Sequence, residues 1–443
     1  MIKKYLQKLR KNSFVMQVAT LMSGTALSQG ILFAATPLIT RLYTPEEFGI
    51  FSLYLAIIGP ISMVSSWRYE VAIMLPEDNE DAKALLVLSV LITIFMSILT
   101  FLLIIIFEDA ILLHLTDSIG LFLWLVPFGV FISGLIQILT AWNTRNEQYG
   151  NIAQSKVLRS SVTASIQIGA KTSFPLTGGL IWGSFIGAIV ASCLLLYKAI
   201  KQHTLRLNEL SYDRIKKNAK EHDKFPKYQS FATFVNSMSQ SIPIIFLSFF
   251  YAPEIAGYYA LANRVLLAPV ALISGSVRNV YYQKASKKHS LNESIKSLYV
   301  KTTLNLLKMS FIPFLIVAIF AEPLFVYLFG DKWVISAIFV QILFIRTIIA
   351  FINPAASGTV FILGLQRFAL VFSVTSAFLI ILALFAGYIF FDNYYMSLAF
   401  LAFTASALTL YFMFFLYAQI NKNDARIIKD NHALTNNTTN GEK

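Results

Sequence analysis

Long apolar runs broken by short polar turns dominate the chain. The run at 84–107, ALLVLSVLITIFMSILTFLLIIIF, carries no charge. It exceeds the ~20 residues that a helix needs to cross the hydrocarbon core of a bilayer. Nothing in it alternates with the two-residue period of a transmembrane strand. Twelve candidate spans fit the sequence, at about 14–40, 48–75, 83–107, 118–141, 152–171, 178–198, 227–250, 256–282, 298–320, 333–362, 368–391 and 394–420. The pattern predicts an all-α polytopic membrane protein of about 12 transmembrane helices. Its expected divisions are a cytoplasmic N-terminus (1–13), an N-terminal six-helix lobe (14–198), a cytoplasmic linker (199–226), a C-terminal six-helix lobe (227–420) and a disordered cytoplasmic tail (421–443).

One polar signature occurs twice. YTPEEFG stands at 43–49 and YAPEIAG at 251–257, each between the first and second spans of a six-span half. Pro60 and Pro269 then fall within the second span of each half, and Arg68 and Arg278 follow them toward its far end. Both halves start on the same side, so the repeat is parallel. It predicts two six-helix lobes related by a parallel pseudo-two-fold, with a site between them at mid-depth. The motif itself reads as architecture. Proline suits a helix start, glutamate just after it complements the helix dipole, and glycine permits close packing.

Composition agrees with the periodicity. The chain has 443 residues, of which 56% are hydrophobic and 13% charged; soluble domains carry about 25% charge. Its mean hydropathy is +0.65. The formal net charge of +13 invites a nucleic-acid reading until its placement is considered. Lys3, Lys4, Lys8, Arg10 and Lys11, nine Lys/Arg in 198–227, and Lys284, Lys287, Lys288, Lys296 and Lys301 all fall on one side of the predicted spans. The other side holds Arg41, Lys171 and Lys332 among many acids, including Glu46, Glu47, Glu108, Asp117, Glu254, Glu322, Asp331 and Asp392. By the positive-inside rule both termini are cytoplasmic, and the basic excess reports topology and contact with anionic lipids. No nucleic-acid partner is expected. Cys193 is the single cysteine, and the histidines (114, 203, 222, 289 and 432) are scattered, so no disulfide, metal site or cofactor is expected. No G-x-x-x-x-G-K-[ST] loop for nucleotide phosphates is present. The first apolar run is too long for a secretory signal.

Charges inside spans carry the functional signal, because a charge in the membrane is costly and faces a bundle interior or wet cavity. Arg68 and Arg278 lie toward the cytoplasmic third, and Arg68 has Glu70 beside it as a local partner. Arg264 lies on the helix of Arg278, about 21 Å away along the axis. Arg346 is near the middle of the tenth span, with Asn353 one heptad on. The fifth span carries Lys156, Arg159, Thr163, Gln167 and Lys171 within a wedge of roughly 120°. The candidate substrate-binding residues are therefore Arg68, Lys156, Arg159, Arg264, Arg278, Arg346 and Asn353. Embedded arginines with few embedded acids suit an anionic cargo, since the guanidinium stays charged and grips phosphate with a planar fork.

The stretch 22–75 also carries a resemblance. SGTALSQ (23–29), PLITRLYTPEEFG (37–49) and the R-Y-E-x-A-I-x-L-P pattern at 68–76 resemble the start of the bacterial polysaccharide flippases, the Wzx-type transporters of O-antigen and capsule repeat units. Those belong to the multidrug/oligosaccharidyl-lipid/polysaccharide exporter superfamily. The match is strong over about the first ninety residues and rests on span count and the repeat thereafter. The resemblance implies two six-helix lobes around a cationic cavity. It implies an undecaprenyl-diphosphate-linked glycan as cargo, moved from the cytoplasmic to the outer leaflet of the inner membrane by alternating access, without enzymatic activity. Arg68 lies inside a matching motif; the other candidates come from span position alone. The lipid II flippases of the superfamily have two further helices, which the span count here lacks. An H+ or Na+ coupling ion and other polysaccharide-assembly membrane proteins are expected partners. Two readings compete. An ion-coupled drug exporter of the same superfamily is expected to place carboxylates in its cavity. A membrane-embedded polysaccharide polymerase or glycosyltransferase is expected to carry catalytic groups in a sizeable loop.

Overall fold

The computed structural model describes residues 13–112, 120, 122–172, 178–202 and 211–440. The basic N-terminal residues Lys3–Lys11, His114, Asp117 and His203 lie outside them. The first half comprises α1 (Ser13–Leu42), α2 (Pro45–Met63), the short α3 (Tyr69–Ala72), α4 (Asn79–Leu112), α5 (Val126–Arg145), α6 (Tyr149–Thr172) and α7 (Gly179–Lys201). A further short helix, α8 (Tyr212–Glu221), precedes α9 (Phe231–Phe250) and α10 (Pro253–Ser290). Then come α11 (Lys296–Ile319), α12 (Ala321–Phe329), α13 (Val334–Ile352), α14 (Pro354–Ile362), α15 (Gln366–Phe391) and α16 (Tyr394–Asn440). Among the described residues, twelve of these helices have 19 residues or more, six on each side of α8. The chain is an all-α multi-pass membrane protein.

Eleven helical segments are long and apolar enough to cross a membrane. The twelfth long helix, α6, fails on composition, because Asn151, Gln154, Lys156, Arg159 and Gln167 dilute its apolar content. It is nevertheless packed between α1 and α7. Gly24 of α1 admits Ala153, and Gly183 and Gly187 of α7 admit Gln167 and Thr163. Small residues on both neighbours let the backbones approach and cover Thr163 and Gln167 with protein.

By packing, the chain divides into two bodies. One comprises Met1–Ala260 with Leu328–Lys332, and the other Leu261–Tyr327 with Trp333–Lys443. In the first body α9 lies along α2, α4 along α5, and α6 against α1 and α7. In the second, α15 packs on α16, and α13 on α11 and α16. The helical assignment of α16 continues to Asn440, across most of the polar segment expected to be disordered.

The expected linker 199–226 carries more order than its polarity suggests. The Ser211 hydroxyl caps α8 by accepting from the Asp213 N–H at 3.3 Å. Arg214 Nη1 then meets Asp78 Oδ2 at 2.9 Å, and Asn218 Nδ2 donates to Asp81 Oδ1 at 2.9 Å. Tyr69 donates its hydroxyl proton to the Ala219 carbonyl at 2.9 Å. The Glu80 N–H, and after it the Arg214 charge, hold the Asp78 carboxyl below the usual carboxylate range against the opposing pull of desolvation.

The repeated motif builds one contact. Thr44 caps α2, and its hydroxyl accepts from the Glu47 N–H at 3.2 Å while Glu47 Oε2 accepts from the Thr44 N–H at 2.9 Å, a capping box followed by Pro45 in the first turn. Pro253 likewise stands first in α10, with Glu254 in the first turn and Ala252 in place of the capping threonine. The two helix starts then cross at their glycines. A Cβ on Gly49 would lie 1.7 Å from the Pro253 carbonyl oxygen, and one on Gly257 would lie 1.9 Å from that of Pro45. Residue i of one copy touches residue j of the other and the reverse, as at a two-fold axis.

Further along, the copies diverge. The span expected at 48–75 is broken, because α2 stops at Met63 and α3 begins only at Tyr69. Trp67 and Arg68 take left-handed φ values of 50° and 64°, which non-glycine residues adopt at a cost of about 1–3 kcal/mol each. Gln137 Nε2 donates to the Ser62 carbonyl at 2.8 Å, which also accepts from the Ser65 N–H at 3.2 Å. The corresponding stretch of α10 runs on as helix past Pro269 and Arg278 to Ser290.

The glycine crossing generates a direct test. Gly49→Ala and Gly257→Ala each force backbone apart and are expected to cost about 1–3 kcal/mol. Gly59→Ala, on the same helix as Gly49 with nothing within 4 Å of its would-be Cβ, is expected to be neutral or to stabilise by up to about 1 kcal/mol. Thermal unfolding of the purified variants in detergent reads the difference, and equal shifts at positions 49 and 59 would show that the crossing is not tight.

Candidate functional site

The polar ladder of α6 separates into structural rungs and free cations. Gln167 is buried, its Nε2 donates to the Leu180 carbonyl at 2.9 Å, and its own carbonyl accepts from the Tyr43 hydroxyl at 2.6 Å. Thr163 is buried beneath Gly187. Lys171 pairs with Glu47 at 2.8 Å and lies 5.3 Å over the Tyr43 ring. These three fasten α6 to its neighbours. Lys156 is half-buried and donates to the Thr25 hydroxyl of α1 at 3.1 Å, a neutral partner that leaves its charge uncompensated. Arg159 is half-buried and makes no ion pair or hydrogen bond with any described side chain.

Tyr43 is the hub at the other end of that ladder. Burial, reinforced by the Glu47 charge, pushes its hydroxyl up to about 12, so it remains a proton donor to Gln167 at any physiological pH. Lys332, from the short turn Asp331–Trp333, donates to the Arg41 and Tyr43 carbonyls at 3.1 and 2.6 Å. It thus places a cation on the carbonyl end of α1, where the helix dipole favours one. In the sequence Lys332 stands out only as a basic residue on the acidic side of the spans. No periodic pattern marks a lysine that caps a distant helix.

Arg68 is not free. Its Nη1 lies 2.9 Å from Glu70 Oε1, with the glutamate side chain 5% exposed. The contact is an ion pair without hydrogen-bond geometry, since both Arg68 Nε and Glu70 Oε1 lack a hydrogen-bond partner. Ser66 donates to the other carboxylate oxygen. The local partner suggested by the sequence is therefore engaged, and Arg68 is the one candidate arginine in the first body whose charge is already matched.

In the second body, Arg264 is half-buried and Arg278 exposed on α10. Arg346 is half-buried on α13, flanked one turn away by the buried Leu343 and next to the buried Thr347. Like Arg159, it makes no ion pair or hydrogen bond with a described side chain. Asn353 keeps helical angles (φ −74°, ψ −13°) at the joint of α13 and α14, and its buried Oδ1 has no partner. Among the described residues no group of three His, Cys, Asp or Glu side chains stands close enough to hold a metal. A volume of about 600 Å³ in the first body, between α2, α4, α5 and α9, is lined by side chains such as Ile57, Leu103, Phe107 and Phe249. None of its lining residues is charged, and the hydroxyl of Thr100 donates to the Met96 carbonyl, so the lining suits hydrocarbon.

Each body thus presents a half-buried arginine with no acid beside it, on a helix of membrane-spanning length. A cation so placed is costly unless an anion or water meets it.

A family described as polysaccharide biosynthesis protein matches residues 38–338. No curated protein matches the sequence. Among solved structures, the chain is similar to a multidrug resistance MATE family transporter of the MOP superfamily in an inward-facing conformation, with TM-score 0.74 at 11% identity over 90% of this chain and 96% of that one. It is similar to the lipid II flippase MurJ in an inward closed conformation, with TM-score 0.70 at 12% identity over 93% of this chain and 91% of that one. It is also similar to a MOP superfamily transporter from Pyrococcus furiosus, described as having a binding pocket of reverse polarity, with TM-score 0.57 at 12% identity over 93% and 96% of the two chains. At these identities the likeness establishes the fold. The family match spans well over half the chain, and on that ground the protein belongs to the polysaccharide biosynthesis protein family.

Proposed function

We propose that the protein is a flippase for undecaprenyl-diphosphate-linked oligosaccharide repeat units, moving them from the cytoplasmic to the outer leaflet of the inner membrane for O-antigen or capsule synthesis. The observation that carries the reading is the pair of half-buried arginines, Arg159 and Arg346, that lie on long helices with no ion-pair partner among the described residues. A diphosphate supplies the missing negative charge and fits the bidentate geometry of guanidinium. Membership of a polysaccharide biosynthesis family supports a glycan on that diphosphate. A fold like that of a lipid II flippase supports movement of a lipid-linked head, and a reverse-polarity pocket in another transporter of this fold supports the inversion of charge relative to drug export.

In this mechanism the first body offers the diphosphate Arg159 and Lys156, the second body offers it Arg346 and Arg264, and Asn353 offers a polar contact to the glycan. Arg278, exposed at the end predicted to face the cytoplasm, meets the cargo first. Arg68 is held by Glu70 and joins only if that pair opens. The lipid tail stays in the bilayer while alternating access carries the head across. Moving it uphill requires an H+ or Na+ gradient, or consumption of the product on the far side by other assembly proteins.

Two outcomes test this. In liposomes loaded with the lipid-linked oligosaccharide, exposure of sugar to an impermeant reagent is expected to depend on the protein. Arg159→Ala and Arg346→Ala are each expected to slow it by roughly 10- to 100-fold, the loss of one charged hydrogen bond to phosphate, with unchanged amounts of protein in the membrane. Normal rates in both variants would sink the cationic-cavity assignment. Overexpression is expected to leave resistance to cationic drugs unaltered; a rise in resistance abolished by the same two substitutions would favour the drug-exporter reading instead.

A further inference from the structure

The hairpin of α10 and α11 in the second body carries a small amphiphilic cavity lined by none of the residues assigned above to the cargo. It has a volume of about 270 Å³. Val277, Val280 and Leu298 form its apolar wall, and Ser276, Thr302 and Lys284 its polar one. Its floor is Tyr281, whose buried side chain is committed elsewhere, with its hydroxyl 2.8 Å from the Thr359 hydroxyl. The Ser276 and Thr302 hydroxyls make no hydrogen bond with any described residue. Lys284 is exposed at the rim and has no ion pair among the described residues.

The surroundings share this imbalance. Lys284, Lys287, Lys288, Lys296 and Lys301 crowd the hairpin. Lys288 is taken by Glu293 at 2.7 Å, and Lys296 lies 5.4 Å over the Tyr417 ring. Lys287 and Lys301, like Lys284, have no acidic partner among the described residues. Along α10 the apolar sequence ends at this level and the basic one begins, so the cavity lies where the bilayer interface is expected, on the side predicted to be cytoplasmic. A ligand here needs a negative head for Lys284, acceptors for two hydroxyl donors, and hydrocarbon for the valines and leucine. The volume gives room for a phosphodiester and the first carbons behind it.

We infer that this cavity is a site for one anionic phospholipid of the cytoplasmic leaflet, with the phosphodiester on Lys284, Ser276 and Thr302 and an acyl chain along Val277, Val280 and Leu298. The lipid is a resident of the hairpin and distinct from the cargo. It supplies the negative charge that the hairpin's own residues lack, at the level where anionic lipid is present.

The full-length protein, purified in detergent, is mixed with equal amounts of phosphatidylglycerol and phosphatidylcholine and read by native mass spectrometry. Wild type is expected to retain one phosphatidylglycerol with at least fivefold preference over phosphatidylcholine. Lys284→Gln is expected to reduce that preference by about fivefold, the effect of one lysine at an anionic surface. Lys220→Gln, an exposed basic residue of α8 outside the cavity, is expected to leave it unchanged, as is Arg346→Ala. If Lys220→Gln and Lys284→Gln lower the preference equally, binding is diffuse and the site is refuted. Displacement of phosphatidylglycerol by inorganic pyrophosphate would overturn a lipid as the occupant in favour of a soluble anion. Loss of the preference in Arg346→Ala would identify the bound lipid with the cargo pathway and likewise overturn the inference. Because retention is read without transport, failure of the flippase reading leaves this result standing.

Discussion

Two helix starts cross at Gly49 and Gly257 with no room for a side chain on either. Without an aqueous phase to squeeze apolar surfaces together, helices in a bilayer associate through close packing and hydrogen bonds, and glycine is what allows backbone to meet backbone. Pro45 and Pro253 set where each helix begins, and the capping box at Thr44 and Glu47 fixes the direction in which α2 leaves. The same turn gives Tyr43 to α6 and receives Lys332 from a segment late in the chain. The starts of α2 and α10 thus meet beside the turn through which Tyr43 ties α1 to α6.

The distribution of acids explains why some cations remain available. Glu47, Asp78, Asp81 and Glu70 are spent on Lys171, Arg214 and Arg68, all at or beyond helix ends. Among the described residues none pairs with Arg159 or Arg346. A buried pair would hold such an arginine in place, and removing its partner would cost several kcal/mol. In the proposed mechanism, an arginine with no ion pair among the described residues exchanges water for an incoming anion. The contrast between Arg68 and Arg159 lies in what the neighbouring backbone offers. A glutamate two residues on closes back on Arg68 across a break, whereas the uninterrupted α6 carries no acid at all.

Periodicity made the spans and the repeat legible, because a bilayer imposes length and apolarity on every helix that crosses it. It also marked α6 as unusual and gave the seven candidate positions. It did not separate the rungs of that ladder. Thr163 and Gln167 share a face with Arg159, but only the glycines of α7 decide that they are covered by protein. The break at 64–68 was invisible, since Val, two Ser and Trp fit an apolar run as well as a turn, and its cause is the left-handed backbone at Trp67 and Arg68. The order of α8 was hidden for the opposite reason. A polar helix has no apolar stripe to announce it, and its docking depends on Asp78 and Asp81, far away in sequence.

The composition of α6 bears on how the protein is made. A segment this polar does not partition into lipid by itself when it leaves the ribosome, since each arginine or lysine near the centre of a helix weighs about 2.5 kcal/mol or more against insertion. Its covering surfaces are α1, synthesised much earlier, and α7, synthesised immediately afterwards and strongly apolar. Insertion of α6 must therefore wait for α7 and proceed as a hairpin with it, against an α1 already in the membrane. The biosynthetic order of the chain is in this respect part of its architecture: moving α7 away from α6 by a long insertion would strand the polar helix outside the bilayer even though every residue of both helices were intact.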